Sequence, residues 1–98
     1  MGRIKEIKEI KEIVDDLKAI GKKIVTTNGS FDILHPAHVE VLNKAKLEGD
    51  ILIVLINSDS SVARNKGEKR PIIPEQERAR IIAGWKAVDY VVIFTEDK

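Results

Sequence analysis

The chain has no cysteine, so disulfide bonds and thiolate metal sites are excluded. It also lacks any apolar run approaching ~18 residues, which excludes a membrane-spanning helix and a membrane partner. No cleavable signal is expected ahead of the domain, and a soluble cytoplasmic protein is the expectation. Charge of one sign is missing as well: 17 basic residues face 16 acidic ones, a net of +1. A general nucleic-acid binder would carry a basic stripe, so nucleic acid is not an expected partner. A Walker-type Gly-x-x-x-x-Gly-Lys-Ser/Thr is absent, which rules out a P-loop enzyme. What remains is 98 residues with 43% apolar content, enough for one small domain and one core. Domains of this size bury a smaller fraction of their surface than large ones, so their stability margin is thin.

Helical and strand patterns alternate along the chain. Residues 3–21 read as a helix stopped by Gly21, a good terminator. Its start is an Ile-Lys-Glu triplet repeat, and a period of three slips ~60° per triplet on a helix. Ile10, Ile13, Val14, Leu17 and Ile20 share one face, Ile7 lies at its edge, and Ile4 falls well off it. A strand over 24–28 follows, then a helix over about 36–48 ending at Gly49. The run Ile51 to Ile56 is continuously apolar and fits a strand buried on both faces of a parallel sheet. Residues 57–70 read as a polar loop with a short helix around Ser60–Arg64. Pro74 opens a helix running to about Lys86, with Glu75 and Glu77 near its positive end, and residues 89–94 form a last strand. The expected architecture is one domain over residues 1–98, divided into an N-terminal helix over 1–21 and an α/β core over 22–98. The core is a Rossmann-like three-layer fold with a three-stranded parallel sheet and right-handed crossovers.

Open α/β sheets bind ligands outside the carboxyl ends of their strands. The first strand end offers Asn28, Gly29, Ser30, Phe31, Asp32, His35 and His38. The second offers Asn57, Ser58 and Asp59, and the third Phe94 and Thr95. Arg64, Lys66, Lys69 and Arg70 follow in the polar loop on the same side. His35 and His38 stand at i and i+3 where a helix begins. They share the face of its first turn and can meet one phosphate chain. Helix starts point backbone N–H groups outward and favour anions. Gly29 allows close backbone approach to a ligand. Two histidines, several cations and a glycine turn suit a nucleoside triphosphate. Other readings stay open: His35 and His38 as surface or capping histidines, Asp32 as a turn residue, the loop cations as a solvated surface, Arg78 as an ion-pair partner of Glu75 or Glu77. A zinc site finds no third ligand at suitable spacing.

The segment Thr27 to His38 resembles the first signature of the cytidylyltransferase-like nucleotidyltransferases, which carry His-x-Gly-His. Asn57-Ser58-Asp59, Lys66 to Pro71, Glu77-Arg78 and Ala87 to Phe94 narrow the resemblance. Together they look like the adenylyltransferase domain of bacterial ADP-heptose synthesis, which acts on heptose 1-phosphate. Similar stretches occur in glycerol-3-phosphate cytidylyltransferase. The resemblance implies transfer of a nucleotidyl group from ATP, accompanied by Mg²⁺, to a sugar phosphate. It implies that His35, His38 and Lys66 are catalytic and stabilise phosphate charge. By the same resemblance Asn28, Gly29, Ser30, Phe31, Asp32, Asp59 and Arg78 bind the nucleotide, with no metal held by the protein. Asp32 and Asp59 would orient ribose or other groups, and Arg78 would contact phosphate.

Two departures accompany the resemblance. Ala37 stands where the family has glycine, and its methyl group would project toward the nucleotide. Family members also continue beyond the third strand, in a sheet of order 3-2-1-4-5. The expectation is therefore a truncated or engineered chain of order 3-2-1, lacking the last two strands and impaired in turnover. Its first strand would be an open edge, inviting a homo-oligomer through that edge. The alternative function is a catalytically inactive scaffold that self-associates there.

Overall fold

The computed structural model describes residues 3–33, 35–67 and 69–95. The elements are, in order, β1 (Ile4–Lys5), α1 (Ile7–Ala19), β2 (Ile24–Gly29), α2 (Pro36–Leu47), β3 (Ile51–Asn57), α3 (Asp59–Lys66), α4 (Glu75–Ala83) and β4 (Tyr90–Phe94). The strands form one parallel sheet in the order β1-β4-β3-β2. The three longer strands keep the expected relative order, with β2 at an edge, but the expectation of three strands is corrected to four.

The fourth strand comes from the triplet repeat. Ile4 falls off the helical stripe because a period of three cannot hold one face of a helix. Extended instead, Ile4 pairs with Val91 and Lys5 with Val92. The backbone N–H of Val91 donates to the Arg3 carbonyl at 2.9 Å, and Arg3 Nη1 donates to the carbonyls of Ala83 and Val88 at 3.2 and 3.3 Å. The helix therefore starts at Ile7 rather than residue 3, with Glu9 Oε1 accepting from the Glu6 N–H at 3.0 Å. Ile20 caps its far end, 70% exposed, so that residue does not belong to the packed stripe.

Helices cover both faces of the sheet, giving three layers. On one face Ile10, Ile13 and Val14 of α1 pack with Ile53, Leu55 and Val92. On the other, Leu42 of α2 and Ala79, Ile82 and Ala83 of α4 pack with Leu52, Val54, Ile56 and Val91. Alternate residues of β3 thus serve opposite layers, which is why its sequence is an unbroken apolar run. Each such side chain, fully buried, contributes about 1.5–3 kcal/mol. Trp85 packs partly against the second layer and donates from Nε1 to Asn43 Oδ1 at 3.0 Å. Among the described residues no helix is long and apolar enough to cross a membrane.

Gly49, just past α2, has a packing role. A Cβ there would lie 2.7 Å from Val25 Cγ2 and 2.9 Å from the Lys23 carbonyl oxygen. The carbonyl cannot rotate away, because the N–H groups of Asp50 and Ile51 donate to it. Gly49→Ala should therefore lower stability by about 1–2 kcal/mol, read as a lower urea midpoint with an unchanged slope.

Candidate active site

β2 ends at Gly29, and α2 begins at Pro36 with His35 as its N-cap. The turn is held by Phe31, which sits in the left-handed region at φ 49° with its ring 7% exposed. A bulky residue there is uncommon, and such strain tends to be retained at functional turns. The ring lies over Gly29, where a Cβ would come 3.1 Å from Phe31 Cε2. The glycine thus makes room for Phe31. The same ring meets His38 edge-on, centroids 5.3 Å apart.

His35 is the N-cap of α2. Its Nδ1 accepts from the Ala37 N–H at 3.1 Å, and His38 Nδ1 accepts from the His35 N–H at 3.1 Å. The His38 N–H donates to the His35 carbonyl at 2.8 Å, and Pro36 has no N–H to offer. The outward-pointing N–H groups expected at this helix start are therefore already engaged. The helix dipole and the two rings, 6.2 Å apart between centroids, remain to face an anion. Ala37 is exposed at the second position of the helix.

Lys66, in the last turn of α3, reaches the same turn: its Nζ donates to Ser30 Oγ at 3.0 Å. The structure thus brings Ser30, His35, His38 and Lys66 to the carboxyl end of β2, with Asn28 exposed beside them.

Two candidates from the sequence are placed differently. Arg78 is fully buried at 0% exposure. Its Nε donates to the Ile73 carbonyl at 2.8 Å, and its Nη1 donates to the carbonyls of Ser30 and Asn57 at 2.6 and 2.8 Å. Nη2 donates to Asp59 Oδ1 at 2.7 Å. This guanidinium ties together the ends of β2 and β3, the start of α3 and the approach to α4. Where a phosphate contact was expected, the structure turns the guanidinium to three backbone carbonyls and the Asp59 carboxylate. Nor is its partner Glu75 or Glu77; Glu75 Oε1 instead accepts from the Asp59 N–H at 2.7 Å.

Asp32 is also inward, 3% exposed. Its carboxylate accepts from the N–H groups of Ile72 and Ile73 at 2.9 and 2.8 Å and from Arg70 Nε at 2.8 Å. Burial pushes the carboxyl group up, but the Ile73 and Ile72 N–H groups and the Arg70 guanidinium outweigh it and hold it below the usual aspartate value. Asp32 fastens the 70–73 segment to the histidine turn and has no oxygen spare to orient a ribose. Asp59, though half-exposed, is likewise committed to Arg78. Sequence reasoning missed this fastening, whose one signal was an aspartate beside a strained turn.

At the end of β4 a second polar group assembles. Ser58 caps α3 by accepting from the Ser61 N–H at 3.3 Å, and Thr95 Oγ1 donates to Ser58 Oγ at 3.0 Å. A cavity of about 570 Å³ opens here, lined by Lys5, Glu6, Glu9, Glu75 and Gln76 among others, apart from the histidines. Among the described residues no three His, Asp or Glu side chains are grouped to hold a metal. Among the described residues the Asp32 carboxylate is fully engaged and Asp59 is paired through Oδ1.

Residues 26–98 match the family described as Cytidylyltransferase-like. The chain belongs to the cytidylyltransferase-like family. Relatives of this cytidylyltransferase-like chain include Bifunctional protein HldE of Geobacter metallireducens, 56% identical over 96 residues. Another is Bifunctional protein HldE of Nitratiruptor sp., 58% identical over 94 residues. These matches take in 98% and 96% of this chain but 20% of each relative, so the chain spans about a fifth of their length. Among solved structures, the lipopolysaccharide core biosynthesis protein from Thermoplasma volcanium is similar, at 40% identity and a TM-score of 0.69. That similarity covers 76% of this chain and 59% of the other. The family and the α/β parallel-sheet fold expected from the residues are thereby established.

Proposed function

We propose that this chain contributes the nucleotidyl-transfer site of an enzyme joining ATP to a sugar 1-phosphate, releasing pyrophosphate and forming an ADP-sugar. The observation that carries the reading is the convergence of His35, His38 and Lys66 on one turn at the carboxyl end of β2. An oxygen of the sugar phosphate attacks the α-phosphorus of ATP in line. One P–O bond forms, the bond to the β-phosphate bridge breaks, and pyrophosphate carries away the electron pair. The attacking oxygen is already anionic, so no base is needed. Catalysis then rests on positioning and on stabilising phosphate charge. His35 and His38 contact the phosphate chain, and Lys66 neutralises charge from α3. Arg78 and Asp32 act by holding the turn and the adjoining segment. Magnesium arrives with the triphosphate as Mg–ATP. Heptose 1-phosphate is the first acceptor to test, in keeping with the resemblance.

Calorimetric titration with Mg–ATP should show saturable binding, and addition of heptose 1-phosphate should release pyrophosphate. Binding without release would remove the transfer step from the proposal, and absence of binding would overturn it entirely. In the same titration Ala37→Gly should bind Mg–ATP more tightly, because it removes a methyl group from the nucleotide side of the turn. Unchanged affinity would show that the alanine is neutral.

A further inference from the structure

We propose that Arg70 holds the phosphate of the acceptor sugar, with Asp32 as the positioning residue that aims it. This rests on the nucleotidyl-transfer reading for the identity of the ligand. It adds a substrate-binding residue to the set of His35, His38 and Lys66.

The starting point is a guanidinium only partly engaged. Arg70 donates from Nε to Asp32 Oδ2 at 2.8 Å. Its side chain is 37% exposed, and among the described residues no acceptor meets either Nη group. Arg78 is the contrast: all three of its nitrogens donate to the protein, and it is closed to water. One arginine is a clamp, and the other keeps its two outer nitrogens for a ligand.

The aim of those nitrogens is fixed. Asp32 is buried, and its carboxylate also accepts from the N–H groups of Ile72 and Ile73. A guanidinium is planar, so bonding its Nε to an anchored carboxylate limits where the end-on Nη pair can point. The Arg70 N–H donates to the Gly67 carbonyl at 3.1 Å, which turns the chain back just beyond Lys66. Lys66 is tethered to Ser30 and Arg70 to Asp32. The two anchoring residues have Cα atoms at most about 7.6 Å apart along the chain, so both cations belong to one turn.

The two cations suit different phosphates. An ammonium is a point charge and serves the phosphate chain of the nucleotide beside the histidines. A guanidinium offers parallel N–H groups that take two oxygens of one phosphate. A sugar 1-phosphate ends in three terminal oxygens. A fork that binds two of them leaves the third to attack the α-phosphorus, and pyrophosphate then departs with the electron pair. The acceptor is itself an anion approaching an anion, so a cation on its own phosphate lowers the repulsion between them. Arg70 supplies both the fork and the charge.

Calorimetry with heptose 1-phosphate tests the assignment without turnover. The chain is first saturated with Mg²⁺ and α,β-methylene-ATP, whose carbon bridge prevents transfer. Heptose 1-phosphate should then bind. Arg70→Gln should weaken that binding about 10–100-fold and change affinity for the ATP analogue by less than about twofold. Lys66→Gln should weaken the analogue and spare the acceptor. Arg70→Lys keeps a charge beside Asp32 but cannot form the fork, so it should recover little of the acceptor affinity. If Arg70→Gln lowers the thermal midpoint, Arg70→Lys decides the question in a folded chain. Equal weakening of both ligands by the Arg70 substitutions would overturn the proposal. So would unchanged acceptor binding, full recovery by lysine, or a parent chain that does not bind heptose 1-phosphate. The nucleotidyl-transfer reading fails separately. A chain that binds heptose 1-phosphate through Arg70 but does not bind the ATP analogue would sink that reading and leave Arg70 as a phosphomonoester site.

Discussion

Arg78→Met should cost about 3–5 kcal/mol of folding stability, the largest effect expected from one side chain here. The methionine fills similar volume, so the loss is not one of packing. It strands the carbonyls of Ser30, Asn57 and Ile73, each of which accepts from the guanidinium at a site closed to water. Buried acceptors left without donors forfeit about 1–3 kcal/mol each before relaxation. Asp59 loses its partner too, but its exposed carboxylate recovers water and adds little. Small domains hold a margin of about 5–15 kcal/mol, so the variant should unfold in mild urea and be partly unfolded when warm. Arg78→Lys should recover less than half of the loss, because one ammonium cannot reproduce a fork spread over four acceptors. Urea titration followed by far-ultraviolet circular dichroism reads both variants. A midpoint equal to that of the parent chain would show that the strand ends are held by something else.

Asp32→Asn should be the next most damaging, at about 2–3 kcal/mol. The carboxylate accepts from two backbone N–H groups and a guanidinium, whereas asparagine offers one oxygen and turns an NH₂ group toward donors. The effect should depend on pH in a definite direction. Asp32 is held below the usual aspartate value, so the folded chain binds its proton less readily than the unfolded chain does. Its contribution is therefore complete above the unfolded value, about 3.9, and is lost as pH falls from there through the depressed folded value. The parent should lose stability over that acid window, and Asp32→Asn should lack this part of the loss. Chemical unfolding at a series of pH values gives both curves. Parallel curves would mean that Asp32 does not titrate as its partners require.

The parts of the fold set by periodicity were legible in the sequence. The run Ile51 to Ile56 announces a strand covered on both faces, and Gly21, Gly49 and Pro74 punctuate the elements close to where they end or begin. The N-terminal strand was not legible, because two residues carry no period and the triplet repeat around them suggested a longer helix. Ile4 being off the stripe was the available clue. At the site, the types and spacing of His35 and His38 singled out the turn to which the structure also brings Lys66, one of the cations of the polar loop. The roles of Arg78 and Asp32 were hidden for a physical reason. A charged side chain at a strand end looks equally like a ligand contact or a clamp, and only burial and partners distinguish the two. Arg78 meets Ser30, Asn57 and Ile73 through their backbone carbonyls, groups that no residue identity reveals. Phe31 was hidden likewise, since an aromatic residue is a poor indicator of left-handed backbone.

The pairing of β1 with β4 also sets an order of events. Ile4 and Val91 are far apart in sequence, and closing so long a loop has an entropic cost that two residue pairs and the hydrogen bonds of Arg3 repay. β1 has nothing to dock on until β4 has formed beside β3, so it joins a nearly finished sheet. Contacts made late, few in number and at an edge are also those released first when the folded chain fluctuates. Hydrogen exchange should therefore find the β1 amides less protected than those of β3, at the centre of the sheet.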